Sequence, residues 1–131
     1  MKIMVVDDEE DVQILFKQRF RKEIRSGTIE FEFAFSGESA LDYLSKEGES
    51  NISQIFSDIN MPGMNGIELL KRIKKQYRHL KVSMITAYAD ESNFHKANEY
   101  GCDDYFTKPV DLKVLYRAAM DAFDKIERWN K

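Results

Sequence analysis

The chain has 131 residues, 43% of them hydrophobic and 33% charged, with six glycines and two prolines. That is one domain's worth of ordinary globular sequence, long enough to bury a core without staples, and it excludes low-complexity and disordered classes. The single cysteine, Cys102, excludes an internal disulfide framework and suits a reducing compartment, and the net charge of −3 gives no global pull toward nucleic acid or an anionic membrane.

A short apolar run followed by an amphipathic stretch recurs five times. The first strand is residues 3–6, continuously apolar as in a strand covered on both faces. Acids follow it at once, so it reads as neither a signal peptide nor a membrane span, and a cytoplasmic location is expected. The next stretch places Val12, Leu15, Phe16, Phe20 and Ile24 at helical spacing, opposite Lys17, Arg21, Lys22 and Arg25, and turns at Ser26-Gly27. The second strand, residues 29–35, alternates Phe31, Phe33 and Phe35 with Glu30, Glu32 and Ala34; acids on one face mark an edge strand. A helix from near Ser36 packs Ala40, Leu41 and Leu44, with Glu38 in its first turn, where an acid suits the dipole.

The third strand, residues 52–57, runs into Asp58. The loop Asn60-Met61-Pro62-Gly63-Met64-Asn65-Gly66 leads to a helix with Ile67, Leu70, Ile73 and Tyr77 on one face. After the fourth strand, residues 82–86, comes the weakest helix, which between residues 90 and 100 offers only Phe94, Ala97 and Tyr100 to a core. It is expected to be the least firmly anchored element. The fifth strand is residues 104–107, and the last helix, from near Val110, carries Leu112, Leu115, Tyr116, Ala119, Phe123 and Ile126. Strand and helix in alternation predict an α/β fold, a (βα)5 doubly wound five-stranded parallel sheet with right-handed crossovers. In such sheets the ligand site lies at the carboxyl ends of the strands.

The residues leaving the strands are therefore the candidates. Strand 1 ends in Asp7-Asp8, strand 3 in Asp58, strand 4 in Thr86 and strand 5 in Thr107-Lys108-Pro109. Two like charges about 4 Å apart repel by roughly 4 kcal/mol at an effective dielectric of about 20. Three converging carboxylates therefore need protons or a cation, and all-oxygen ligands in a partly open site suit Mg²⁺. With a metal, a lysine and a hydroxyl around it, Asp58 is a candidate aspartyl nucleophile for phosphoryl transfer, a reaction that depends on in-line positioning and charge neutralisation. Backbone before proline is pushed toward the extended region, which aims Lys108 along the strand axis into the crevice; whether that bond is cis or trans is not legible.

Each residue has a plainer reading. Alone, Asp7-Asp8 is a helix cap, Asp58 before a Pro-Gly loop is turn chemistry, and Thr86 is a β-branched strand end. Convergence at matching strand ends demotes the first two. Met61 and Met64 read as packing residues, His79 and His95 as surface residues, and Cys102 as a small packing residue.

Four pieces together resemble a response-regulator receiver domain of two-component signalling, of the chemotaxis-regulator type. They are Val5-Val6-Asp7-Asp8-Glu9, the run from Ser57 through Gly66, Ile85-Thr86-Ala87, and the run from Asp104 through Pro109, in family order and spacing over about residues 2–125. The resemblance implies the flavodoxin-like strand order 2-1-3-4-5. It implies that Asp58 takes a phosphoryl group from a histidine kinase or histidine phosphotransfer protein. It implies Mg²⁺ held by Asp8, Asp58 and the backbone carbonyl of Asn60, with Asp7 acting through water. Lys108 and Thr86 become the phosphoryl-sensing pair and Tyr105 the aromatic switch; the alternative for Tyr105 is a buried strand aromatic. The output surface is implied to be helix 4, strand 5 and helix 5, with homodimerisation through it a further expectation. Asn65, Val110 and Ser57 depart from the commoner Asp, Phe and apolar residue at those places.

The expected organisation is one receiver domain over residues 1–131, with a core of about 2–125; residues 126–131 read equally as a frayed end or as a helical extension whose Ile126 and Trp129 reach toward a partner, a dimer or a further domain. The basic stretches 17–25 and 71–81 read as solvated helix faces, the first also as a docking face for a kinase or phosphotransfer helix. The competing classes are weaker. A haloacid-dehalogenase-type hydrolase needs two acids spaced two apart after strand 1, a flavin binder needs a hydroxyl-rich phosphate loop there, and a degenerate interaction module lacks one of the charged residues present here. Direct nucleic-acid binding and membrane association are not expected.

Overall fold

The computed structural model describes residues 1–87 and 90–129, with the backbone alone for Leu112 and for 122–129. Five parallel strands form one sheet in the order β2-β1-β3-β4-β5: β1 (Lys2–Val6), β2 (Glu30–Ala34), β3 (Gln54–Asp58), β4 (Lys81–Thr86) and β5 (Asp104–Thr107). The helices are α1 (Glu10–Arg19), α2 (Arg21–Arg25), α3 (Gly37–Glu47), α4 (Gly66–Gln76), α5 (Glu91–Glu99) and α6 (Leu112–Trp129), with a 3-10 turn at Glu49–Asn51.

Successive strand side chains point to opposite faces, and both faces are covered. Ile3, Val5, Phe56 and Ile85 meet Phe16 of α1 and Leu115 and Ala119 of α6. Met4, Val6, Ile55, Val82 and Met84 meet α3, α4 and α5. A break at Phe20 splits the expected first helix in two. Phe20 sits at φ −103°, ψ 22°, yet its N–H still donates to the Phe16 carbonyl (3.0 Å) and its carbonyl still accepts from Ile24 (2.9 Å). Its fully buried ring stacks on Phe16 and Tyr116 and meets Phe31 edge-on.

Several apolar residues expected in the core lie outside it. Leu15 is 47% exposed and Ile24 38%. Leu15 is rotated about 100° around the helix from Phe16, which faces the sheet, and Ile24 follows the break. Phe35 lies one residue past the end of β2 and is 46% exposed, and Phe94 of α5 is 44% exposed. Ala97 is the one residue α5 buries, with Tyr100 packed partly against the core. Phe123, Ile126 and Trp129 have side chains outside the described residues, as does the whole of Tyr88.

The basic run after Leu70 is largely spoken for. Lys74 donates to the Leu80 carbonyl (2.7 Å) and Asp103 (2.9 Å), Lys81 pairs with Asp104 (3.3 Å), and Arg72 pairs with Glu68 (3.0 Å). Lys71 lies over the Tyr100 ring. His79 and His95 are exposed, and Met61 and Met64 pack in or against the core. No described helix is long and apolar enough to cross a membrane.

Candidate functional site

Strands β1 and β3 are neighbours in register Val6↔Ser57, so the next residue on each, Asp7 and Asp58, leaves the sheet side by side. One carboxylate oxygen from each of Asp7, Asp8 and Asp58 lies within 4.8 Å of the others. Asp7 and Asp58 are 6% and 5% exposed, and Asp8 is open to solvent. The cap position of α1 belongs to Glu9, whose side chain makes no capping bond. Asp7 Oδ1 instead accepts from the Glu9 N–H (2.9 Å), which leaves Oδ2 facing the crevice.

Lys108 reaches that crevice from the far strand. Its N–H donates to the Thr86 carbonyl, and the Lys108-Pro109 bond is cis. Its Nζ lies 3.3 Å from Asp7 Oδ2 and 3.6 Å from Asp58 Oδ2. Burial, then the facing Asp7 carboxylate, pushes the Asp58 carboxyl above the ordinary range; Lys108 and the backbone N–H groups of Asn60 and Ile59 pull the other way. For Lys108, burial works to lower the ammonium's pKa, but Asp7 and Asp58 outweigh it and hold the group charged.

Asp58 Oδ1 is buried and has no hydrogen-bond partner among the described residues. A buried, unpaired carboxylate oxygen beside two more carboxylates is unstable on its own, and one cation satisfies all three. The donors are all hard oxygens and one side of the cluster is open, so the residues present fit Mg²⁺.

Thr86 is fully buried at the end of β4, and its Oγ1 accepts from Asn60 Nδ2 (3.4 Å). Tyr105, on β5, is half-buried. Its ring meets Phe94 edge-on at 5.2 Å, and its hydroxyl is buried without a partner among the described residues. Burial, with Asp90 and Cys102 nearby, raises its pKa, so it stays a neutral phenol.

Sequence reasoning missed the residues that hold the acceptor loop. The Gly66 N–H closes the loop onto the Ile59 carbonyl (2.8 Å), and a Cβ at Gly66 would collide with the Asp58 carbonyl oxygen. The Met64 N–H donates to Glu38 Oε1 (3.2 Å), and Gly63 turns the chain at φ 73°. The Asn65-Gly66 dipeptide announced a turn but not this close approach, and nothing in the sequence links Glu38 to Met64.

Beside the acids, an apolar cleft of about 390 Å³ opens between α1 and the loop after β5, walled by Val12, Leu15, Phe16, Pro109, Val110 and Leu115. Asp7 and Lys108 stand on its rim.

Comparison with known proteins gives the family. Residues 3–120 match the response regulator receiver domain. The chain is 36% identical over 114 residues to sporulation initiation phosphotransferase F of Bacillus subtilis, covering 87% of this chain and 86% of that one. It is 32% identical over 128 residues to chemotaxis protein CheY of Pseudomonas aeruginosa, covering 96% and 98%. It spans only 23% of the response regulator protein FleR from the same species. Among solved structures, a CheY-like receiver domain from Methanospirillum hungatei superposes with a TM-score of 0.84 at 28% identity, covering 97% and 96%. The receiver domain of NtrX from Brucella abortus gives 0.78 at 31%, covering 93% and 98%. The chain belongs to the receiver domains of two-component response regulators, signalling switches phosphorylated on an aspartate.

Proposed function

We propose that Asp58 is the phospho-acceptor, that Asp8, Asp58 and the Asn60 carbonyl hold Mg²⁺ with Asp7 acting through water, and that the chain itself catalyses both gain and loss of the phosphoryl group. The observation that carries this reading is the convergence of Asp7, Asp8, Asp58 and Lys108 from the carboxyl ends of β1, β3 and β5, with one oxygen of Asp58 buried and unpartnered among the described residues. Bound Mg²⁺ supplies charge neutralisation for the acceptor and the incoming phosphoryl oxygens. A carboxylate oxygen of Asp58, its backbone fixed by the loop contacts above, attacks phosphorus in line and forms an acyl O–P bond as the P–N bond to the donor histidine breaks and imidazole leaves. In the reverse sense of the switch, water attacks phosphorus, inorganic phosphate leaves and the carboxylate is restored. Lys108 moves its charge from Asp7 and Asp58 to a phosphoryl oxygen. The Thr86 hydroxyl donates to another, giving up its contact with Asn60, and Tyr105 follows into the space beside it.

The donor is a histidine kinase or a histidine phosphotransfer protein, docking along α1 and the apolar cleft beside Asp7 and Lys108, where Leu15 is half-exposed. The readout surface is α5, β5 and α6; these are the elements expected from sequence as helix 4, strand 5 and helix 5, renumbered by the split at Phe20. A homodimer through that surface and a cytoplasmic location complete the reading, with residues 1–131 one receiver domain.

The test is intact mass after incubation with acetyl phosphate and Mg²⁺. The reading predicts one phosphoryl adduct, lost in Asp58→Ala and with EDTA. An adduct that survives Asp58→Ala contradicts it, as does its absence from folded wild type.

A further inference from the structure

We propose that Ser57 is a positioning residue for the acceptor: its buried hydroxyl, hydrogen-bonded to the Asp58 carbonyl oxygen, holds the Asp58–Ile59 peptide in the orientation phosphoryl transfer needs. The inference rests on the reading of Asp58 as the acceptor.

Ser57 is 1% exposed at the centre of the sheet, flanked in register by Val6 on β1 and Met84 on β4, both fully buried. An apolar side chain would suit that place better, since a hydroxyl moved out of water costs stability unless it is bonded. Ser57 Oγ is bonded: it donates to the Asp58 carbonyl at 2.9 Å. That carbonyl is an unusual acceptor. Pairing of β3 with β1 stops at Val6↔Ser57, one residue before Asp58, while pairing with β4 continues through Asp58↔Ile85. The first residue of α4 lies directly against the same oxygen, so close that no Cβ fits at Gly66, and the Gly66 N–H is turned to the next carbonyl, that of Ile59. The hydroxyl thus anchors the carbonyl side of a peptide whose N–H side is held by β4, through the bond from Ile59 to the Ile85 carbonyl.

The consequence falls on the site. The peptide Ser57 holds carries the Ile59 N–H, which donates to the Ile85 carbonyl (3.1 Å), and it is bonded to the Asp58 Cα that carries the carboxylate. Tilting that peptide turns the Asp58 Cα and displaces its carboxylate, and a small misplacement at an acceptor costs rate steeply. Replacing Ser57 with Ala removes one atom and leaves the apolar packing in place. The carbonyl is left buried without its donor, and the peptide keeps only its N–H bond to the Ile85 carbonyl, about which it can tilt.

The experiment measures initial rates of phosphorylation of the full chain against acetyl phosphate concentration at saturating Mg²⁺, with thermal unfolding of each variant alongside. Ser57→Ala is expected to lower the maximal rate about tenfold, equivalent to ~1.4 kcal/mol, with KM for acetyl phosphate held within about twofold. Ser57→Thr, which restores the hydroxyl, is expected to recover most of the rate. Ser57→Cys, a near-isostere with a weaker donor, falls between and serves if the threonine methyl is not tolerated. A Ser57→Ala rate within about twofold of wild type overturns the proposal. So does a variant that loses thermal stability but keeps its maximal rate well below its transition, because the hydroxyl would then be structural only. Failure of wild type to take a phosphoryl group, or phosphorylation of Asp58→Ala, breaks the acceptor reading instead.

Discussion

Helices α4 and α5 lie side by side on the same face of the sheet and are held there very differently. α4 buries Gly66, Ile67, Leu69, Leu70 and Ile73, and its first residue is in close contact with the Asp58 backbone. α5 buries Ala97 alone and leaves Phe94 half-exposed over the Tyr105 ring. One side of the acceptor is clamped and the other is lightly seated. A switch needs both, a fixed frame to position the charge and a cheaply moved element to report it.

Four substitutions test that contrast, from the largest expected effect to the smallest. Gly66→Ala forces a Cβ into a backbone oxygen that cannot move aside, and is expected to cost about 3 kcal/mol or more in urea unfolding. Leu70→Ala, at a fully buried position of α4, is expected to cost about 3 kcal/mol by the same measurement. A loss under about 1 kcal/mol at either site would mean the frame is softer than its burial implies.

Asp58→Asn works in the other direction. Burial first, and Asp7 second, raise the Asp58 carboxyl above its ordinary value. The folded chain therefore binds this proton more tightly than the unfolded chain, and stability is lost as pH rises from about 4 through the raised folded value. The amide that replaces the carboxyl cannot ionise, so the metal-free variant should gain on wild type across that window and lead by about 1 kcal/mol at neutral pH. Saturating Mg²⁺ should erase the lead by stabilising wild type. Equal stability at all pH values without metal would mean the acids do not strain the fold. Phe94→Ala, the mildest, should cost under about 1 kcal/mol, since its ring is 44% exposed, and should alter the environment of Tyr105, read by aromatic NMR shifts.

The strands and the acids at their ends were legible because both are local signals. A short apolar run marks a buried strand, and the residue after it lies at the carboxyl edge. Register then brings Asp7 beside Asp58, a consequence of parallel pairing that alternation already implied. The helix faces were less legible. Spacing alone put Leu15, Ile24 and Phe94 in the core, because a 3–4 pattern does not say which side of an apolar stripe meets the sheet, nor that the chain bends at Phe20. Ser57 was visible only as an unexpected polar residue. What it bonds to depends on where β1 pairing stops and where α4 begins, as does the need for glycine at position 66. Ties between residues far apart in sequence, such as Lys74–Asp103 and Glu38–Met64, have no sequence signature at all.

The most direct test follows amide hydrogen exchange in wild type and Asp58→Ala, each with Mg²⁺, before and after acetyl phosphate. The account predicts that phosphorylation changes protection in α5 and β5, leaves the α4 core at Leu69, Leu70 and Ile73 unchanged, and does nothing in Asp58→Ala. Equal change in α4 and α5, or a change that persists without Asp58, would contradict it.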